Sequence, residues 1–299
     1  MLLFESILFY VLHKIQFILS GKFISFHVSY KVHMKRGLLM KNIKLTIQYD
    51  GTRYQGWQKP GKKGISNTIS GKLTEVISRI TDEETTLFAG AKTDTNVHAD
   101  AQIVNFKTNT TLSALKLKQE LNHYLPQDIA IISAEEVSES FHASLNAQTI
   151  TYLYRVNCAP VADVFTRKYK YHLPDTLDFN AMQHASEQLL GRHDFKHFSS
   201  GKTKKSTEKD LLSIEIFNGF HIPKDLLLKC EQPSDADFLF LLKGNDFLHQ
   251  MPLYLTETLL EIGLGSRNAS SIPLIFSGED TVSKRCPSHG LFLHEITYK

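Results

Sequence analysis

The stretch Gly90-Ala91-Lys92-Thr93-Asp94-Thr95-Asn96-Val97-His98 is a polar loop between two apolar runs. Leu87-Phe88-Ala89 precedes it and Ile103-Val104-Asn105-Phe106 follows it, a pattern that predicts two strands joined by a turn. Asp, Thr and Asn side chains cap their own backbone in turns, so the local sequence favours Asp94 as a turn residue. The alternative interpretation is a catalytic acid that the turn holds up between the strands.

The segments before and after this turn predict an α+β first half. The predicted order is a strand at 43–49, a helix at 69–80 capped by Asn67 or Thr68, the two strands around Asp94, a helix at 117–125 and a strand at 129–132. The first half therefore has the β-α-β-β-α-β order of a ferredoxin-like domain.

A similar pattern begins again near Ala147. The segments are a strand at 151–156, a helix at 182–189 closed by Gly191, a strand at 238–242, a helix at 251–262 and a strand at 291–298. We therefore predict two ferredoxin-like (RRM-like) halves, 41–146 and 147–299, with mainly antiparallel sheets around a central cleft.

Composition describes an ordinary globular protein. Of 299 residues, 42% are apolar, and the net charge is only +3, so any surface for nucleic acid must be a local one. The cysteines, Cys158, Cys230 and Cys286, form no CxxC motif, and the histidines form no HExxH motif. A disulfide framework or a structural zinc site is therefore not expected, and a reducing cytoplasm fits.

Several ordered motifs carry a family resemblance. Tyr49 to Gln58 reads YDGTRYQGWQ, and together with the loop at 90–98 it resembles the YDGTxYxGWQ and GRTDxGVHA motifs of the TruA-type tRNA pseudouridine synthases. Further matches are Leu121-Asn122 with 125–129, Phe141-His142-Ala143, Tyr152 with Tyr154, His193-Asp194-Phe195 with Phe198, Phe247-Leu248 with Met251, and Pro287 with Gly290-Leu291 and Leu293. The resemblance extends from about Ile43 to Tyr298, and the family fold has two such halves.

The resemblance implies a cytoplasmic, homodimeric isomerase that needs neither metal nor organic cofactor. It would convert uridine to pseudouridine in the anticodon stem-loop of tRNA, at positions 38 to 40. Two alternatives remain open. One is a pseudouridine synthase for a different RNA site, and the other is a non-catalytic RNA-binding or folding-helper protein.

The resemblance also assigns residues. Asp94 becomes the catalytic carboxylate, acting as a nucleophile or in proton transfer. Tyr152 becomes the tyrosine that stacks on the target uracil, although a core aromatic is its ordinary interpretation, and Tyr154 is assigned to packing. Lys92 stands where the family has Arg, which predicts weaker activity or altered substrate choice because Lys lacks the planar fork of Arg.

Other positions bear on RNA contact. Ser144, Leu253 and Thr281 stand where the family carries Arg, so the RNA contacted could differ and salt dependence could be shallower. Two groups of basic residues have two interpretations each, a solvated loop or contact with RNA phosphates: the loop 59–64, and the set Arg192, Lys196, Lys202, Lys204 and Lys205.

Residues 1–40 precede the family pattern. They are apolar, but Glu5, His13, Lys14 and Lys22 interrupt them, so no span reaches the roughly 20 residues of a transmembrane helix. The family pattern begins near Lys41, directly after Met40. We expect an N-terminal extension that is not translated, with a membrane-surface helix as the alternative.

Overall fold

A computed structural model describes residues 16–19, 22–25, 40–58, 67–201, 206–228, 232 and 234–299. The chain divides into two units, Met1–Leu39 and Met40–Lys299. In the first unit, β1 (Gln16–Leu19) and β2 (Lys22–Ser25) pair as an antiparallel hairpin. Most of the predicted extension, and the loop 59–64, lie outside the described residues.

The second unit contains the strands and helices of both predicted halves. Its strands are β3 (Lys41–Tyr49), β4 (Phe88–Ala89), β5 (His98–Thr108), β6 (Ile129–Val137), β7 (Ala147–Asn157), β8 (Tyr171–His172), β9 (Gly191–Asp194), β10 (Glu208–Asn218), β11 (Asp237–Gly244) and β12 (Leu291–Tyr298). Its helices are α1 (Ile69–Thr81), α2 (Ala114–Tyr124), α3 (Phe179–Glu187), α4 (Met251–Gly263) and α5 (Ser271–Ser277). Short 3-10 helices span Gly51–Arg53, Phe195–Phe198, Gly219–His221, Lys224–Leu226 and Ser288–Gly290.

One sheet runs through the whole of this unit. Its order is β6-β3-β5-β12-β7-β11-β10-β9, with β4 beside β5 and β8 beside β7. The pairs β5–β12 and β7–β8 are parallel, and the other pairs of the described strands are antiparallel. The predicted α+β class with mainly antiparallel pairing is therefore confirmed, but a single mixed sheet replaces the separate sheets that we expected.

The first-half elements form for the reasons that the sequence indicates. Ile43, Leu45 and Ile47 are fully buried on β3, as their alternation predicts. α1 begins after Thr68, whose hydroxyl accepts the Gly71 amide at 3.2 Å, a cap worth about 1 kcal/mol. Strand β6 continues to Val137, five residues past its predicted end, because it stays paired with β3.

The second half departs further from the prediction. Strand β10 was not predicted, because its charged start and half-exposed residues give no clean alternation. Gly191 does not close α3, which ends at Glu187; it begins β9 instead, with a φ of +96°. Cys158 and Cys286 form no disulfide, and Cys230 lies outside the described residues.

Helix α4 is the most deeply buried helix of the described chain. Eleven of its 13 residues are buried, among them Thr256, Glu257 and Thr258. A helix that is enclosed on nearly all sides has little freedom to shift, so its first residues are held firmly in place.

No helix in the described residues is long and apolar enough to cross a membrane.

Candidate active site

A cleft of about 520 Å³ opens beside the loop that contains Asp94. Its wall is formed mainly by the loop itself, by Tyr152 on β7, by residues 199–201 after the 3-10 helix Phe195–Phe198, and by the segment that leads into α4. The lining residues are Ala89, Gly90, Ala91, Lys92, Thr93, Asp94, Val97, Ser144, Ile150, Tyr152, Ser199, Ser200, Gly201, Lys209, Asp246, Phe247, Leu248, His249, Gln250, Pro252 and Leu291.

Asp94 lies in a turn, as the local sequence predicts, and also lines this cleft. Its carbonyl oxygen accepts the Val97 amide at 3.2 Å, and Asn96 takes a left-handed conformation with a φ of +64°. The carboxylate side chain is 24% exposed. The turn and the cleft are therefore compatible: the turn sets the direction in which the carboxylate points.

The segment Tyr49 to Gln58 packs against the loop that contains Asp94. The Trp57 amide donates to the Thr93 carbonyl oxygen at 2.9 Å, and the Tyr49 hydroxyl lies 2.7 Å from the Thr93 hydroxyl. Gly56 has a φ of +85°, and a Cβ there would lie 2.6 Å from the Thr93 carbonyl oxygen. Only glycine fits so close to the loop. The close contact therefore fixes the position of the loop backbone, and with it the position of Asp94 in the cleft.

Asp94 has one ion pair within the described residues. His249, two residues before α4, places its Nε2 2.9 Å from Asp94 Oδ1. Burial raises the pKa of Asp94 above its usual range, and the positive charges of His249 and Arg285 and the Gln250 amide oppose that rise only in part. The site therefore holds a carboxylate that is protonated more readily than an exposed one.

Tyr152 lines the same cleft with an aromatic side chain. It is 7% exposed, and its ring meets that of Phe247 edge to face at 5.1 Å. Burial, and then the nearby Asp94, raise the pKa of its hydroxyl, which stays protonated at neutral pH. Tyr154 is fully buried and donates to the Pro287 carbonyl oxygen at 2.8 Å, as a packing residue does.

Lys92 lines the cleft but is exposed. It makes no ion pair with any carboxylate in the described part of the chain. The charge beside Asp94 comes instead from His249, which we did not single out from the sequence. The resemblance marks Phe247, Leu248 and Met251 but leaves position 249 unspecified, so no sequence signal identified it.

Two of the predicted phosphate contacts, Arg192 and Lys196, lie outside the cleft lining. Arg192 on β9 pairs with Glu208 at 2.8 Å, and Lys196 pairs with Asp194 at 3.6 Å. Lys202, Lys204 and Lys205 lie outside the described residues. The cleft itself contains Lys209, whose ammonium group is 2.6 Å from Asp246.

The positions that lack the expected Arg have separate surroundings. Ser144 lines the cleft, Leu253 is fully buried in α4, and Thr281 is exposed. The described residues contain no group of three or more His, Cys, Asp or Glu side chains that could hold a metal ion.

Comparison with known proteins identifies the family of this chain. The family model described as tRNA pseudouridine synthase matches residues 45–145 and 185–299. The chain belongs to this family. The tRNA pseudouridine synthase A 2 of Bacillus anthracis is 37% identical over 263 residues, which cover 87% of this chain and all of that protein.

Two further relatives give the same result. The tRNA pseudouridine synthase A 2 of Clostridium tetani is 35% identical over 267 residues, 87% of this chain and all of that protein. The tRNA pseudouridine synthase A of Shouchella clausii is 33% identical, over 87% of this chain and 94% of its own length. The predicted family and the enzyme class, an isomerase, are confirmed.

Proposed function

We propose that the protein converts uridine to pseudouridine in the anticodon stem-loop of tRNA, at positions 38 to 40, with Asp94 as the catalytic carboxylate. The observation that carries this proposal is the placement of Asp94 in the wall of a cleft of about 520 Å³, beside an aromatic pair. Cavities of this size accommodate small ligands, and a flipped nucleoside is of that class.

The reaction is an isomerisation, so the site has to move a bond and a proton without any net change in composition. The N1–C1′ bond breaks, the uracil turns, a C5–C1′ bond forms, and the proton on C5 is lost while N1 gains one. A carboxylate beside the anomeric carbon supports this sequence either by attack on the sugar or by proton transfer. Asp94 is the acidic group that we assign to this step.

Tyr152 holds the everted base in this proposal. Extrusion of a base from a stem costs a few kcal/mol, and stacking on aromatic side chains offsets part of that cost. The edge-to-face arrangement with Phe247 fixes the Tyr152 ring, so its face is oriented before the uridine arrives. Lys92, exposed at the cleft wall, is placed to contact the phosphate of the flipped nucleotide or the carboxylate.

The RNA backbone is proposed to follow Arg192, Lys196, Lys202, Lys204 and Lys205. Because Arg192 and Lys196 each have an acidic partner, Glu208 and Asp194, they would exchange one anion for another on binding. The displaced carboxylates stay near the phosphates and offset part of the positive charge, which gives a shallow salt dependence.

For the fold, we propose two ferredoxin-like halves, 41–146 and 147–299, around the cleft. The strand order β6-β3-β5-β4 supports this for the first half, because it places the last strand of β-α-β-β-α-β beside the first. From the family resemblance we also expect a homodimer, in the cytoplasm and away from membranes.

A second candidate is the same chemistry on another RNA site. Ser144, Leu253 and Thr281 offer no guanidinium where the family carries one, so the set of contacted phosphates differs. A non-catalytic RNA-binding or folding-helper protein is the third candidate. The retention of Asp94 and Tyr152 in one cleft argues against that.

Mapping pseudouridine across all RNAs, in cells with and without the gene, separates the three candidates. We expect loss of marks at positions 38 to 40 of tRNA, and restoration of those marks when purified protein is added to the RNA from the deleted strain. Loss at another RNA site alone would support the second candidate. An unchanged map, with no marks formed by the purified protein, would contradict both catalytic candidates.

A further inference from the structure

His249 forms an ion pair with Asp94, the proposed catalytic acid, although the histidine side chain is largely exposed. It precedes α4 by two residues, its side chain is 58% exposed, and its Nε2 reaches Asp94 Oδ1 at 2.9 Å. An exposed histidine side chain normally moves among several rotamers. Here the second ring nitrogen is also engaged, so the ring is held from both ends.

Hydrogen-bond partners surround both ring nitrogens of His249. Nδ1 lies 3.2 Å from the carbonyl oxygen of Ser200, which only accepts. It also lies 2.7 Å from the Ser200 hydroxyl oxygen, whose own proton is donated to Gln250 Oε1 at 2.8 Å. Nδ1 therefore carries a proton. Nε2 faces a carboxylate oxygen, so both ring nitrogens lie beside acceptor oxygens, an arrangement that suits a cationic imidazole.

The backbone around His249 is equally constrained. The Ser200 amide, two residues after the 3-10 helix Phe195–Phe198, donates to the His249 carbonyl oxygen at 3.1 Å. Gln250 takes a left-handed conformation with a φ of +62°, directly before the buried helix α4. His249 is thus presented to Asp94 from a fixed support.

We propose that His249 is a positioning residue: it holds the Asp94 carboxylate ionised and pointed toward the reacting nucleoside. This rests on the proposed function of Asp94. The cation compensates the unfavourable burial of the carboxylate, and the two-point hold on the ring fixes the direction of the Nε2–Oδ1 contact.

No other charged or titratable group that we identify near the cleft takes the place of His249 beside Asp94 in the described residues. Lys92 from the Asp94 loop makes no ion pair within the described residues, and Lys209 of β10 is committed to Asp246 at 2.6 Å. Tyr152 faces Asp94 from β7 with a protonated hydroxyl. Arg285 adds positive charge from further away, while its guanidinium contacts Ser288 at 3.3 Å.

The test is the pH profile of tritium release from tRNA labelled at uridine C5, measured for His249→Leu and His249→Arg. Leu keeps the bulk of the side chain and removes the charge. We expect the acid limb of kcat to move to higher pH by about one unit, with KM changed less than about 3-fold. His249→Arg restores a cation and should return the limb to the wild-type position or below it.

Two controls separate a charge effect from a loss of structure. His294→Leu removes a histidine that pairs with Asp100 at 3.1 Å outside the cleft lining, and should leave the acid limb unchanged. Ser200→Ala loosens the ring without removing its charge, and should move the limb in the same direction as His249→Leu, by less. An unchanged limb in His249→Leu, or faster turnover in that variant, would overturn the proposal.

A second readout does not depend on turnover. Carbon-13 NMR of labelled aspartate carboxyl groups in the RNA-free protein follows the titration of Asp94 directly. The Asp94 resonance should titrate at higher pH in His249→Leu than in the wild type, and an identical titration would overturn the positioning role. If the wild type forms no pseudouridine but this shift is present, the proposed function fails and the ion-pair role stands.

Discussion

Asp50 and Asp94 are two aspartates with similarly exposed side chains, 28% and 24%, and with opposite electrostatic settings. Asp50 accepts hydrogen bonds from the Thr52 amide at 2.9 Å, from the Thr52 hydroxyl, and from the Tyr169 hydroxyl at 3.0 Å. Burial alone would raise its pKa, but the bonds from His98, Thr52 and Tyr169 together outweigh burial and hold that pKa well below its usual range.

Asp94 has fewer hydrogen-bond donors around it, and its pKa is shifted in the opposite direction. Burial dominates and raises its pKa, although His249 and Arg285 oppose the rise. Exposure therefore does not distinguish the two aspartates; the supply of hydrogen-bond donors does. The donors around Asp50 suit a structural role, whereas the raised pKa of Asp94, in the lining of a cleft, is typical of a functional group.

The largest predicted difference is between the two Asp→Asn variants. Asp94→Asn removes the charge of the carboxylate that we propose as the catalyst, so kcat should fall by about 10³-fold or more, with the free energy of unfolding little changed. Asp50→Asn weakens the hydrogen bonds that it accepts, so the protein should lose about 1–3 kcal/mol of stability and keep most of its turnover per folded molecule. Tritium release and urea unfolding measure the two quantities.

The same two variants also provide the control for each other. Both exchanges are equal in size and charge, so a general effect of losing a carboxylate would appear in both. The comparison fails if Asp50→Asn costs more turnover per folded molecule than Asp94→Asn.

A smaller effect is expected from pH on the wild type. Because the pKa of Asp94 is raised, its charged form, and the activity with it, is lost as pH falls toward a value above the usual 3.9 or so. The folded-state pKa of Asp50 is lowered, so its contribution to stability is complete above about pH 3.9 and declines only below that. Activity should therefore decline at a higher pH than the stability contribution of Asp50.

Circular dichroism and tritium release over the same pH series measure this separation. The matched control is Asp50→Asn, whose stability should depend less on pH below about 4 than that of the wild type. Coincident loss of activity and of folded structure in the wild type would remove the distinction between the two carboxylates.

The smallest predicted effect concerns Lys92. It is exposed and forms no ion pair in the described parts of the chain, so it does not hold Asp94 in the RNA-free protein. Lys92→Arg should give turnover equal to the native protein or a few-fold higher, because Arg adds a planar fork for phosphate or carboxylate. A slower Arg variant in the tritium-release assay would contradict this.

Features of the fold and the site that depend on local sequence or on ordered motifs could be predicted. Strand β3 and helix α1 were predicted because the burial of Ile43, Leu45 and Ile47, and the cap at Thr68, are local properties of the chain. Asp94 and Tyr152 were assigned through ordered motifs, and both line one cleft.

His249 and strand β10 were not predicted because they depend on contacts that are distant in sequence. His249 becomes significant only because α4 places it against a loop 155 residues earlier in the chain, at 2.9 Å. Strand β10 becomes a strand through pairing with β9 and β11, since its own residues alternate poorly. The joining of both halves into one sheet likewise requires the β5–β12 pair, which no local pattern specifies.

The most direct measurement is a crystal structure of the Asp94→Asn variant bound to an anticodon stem-loop RNA that contains uridine. We predict an everted uridine in the cleft, its uracil against Tyr152, and its anomeric carbon within about 3.5 Å of the side chain at position 94. A uridine that remains stacked in the RNA, or that binds with its sugar remote from position 94, would contradict the assignment of Asp94 as the catalytic carboxylate.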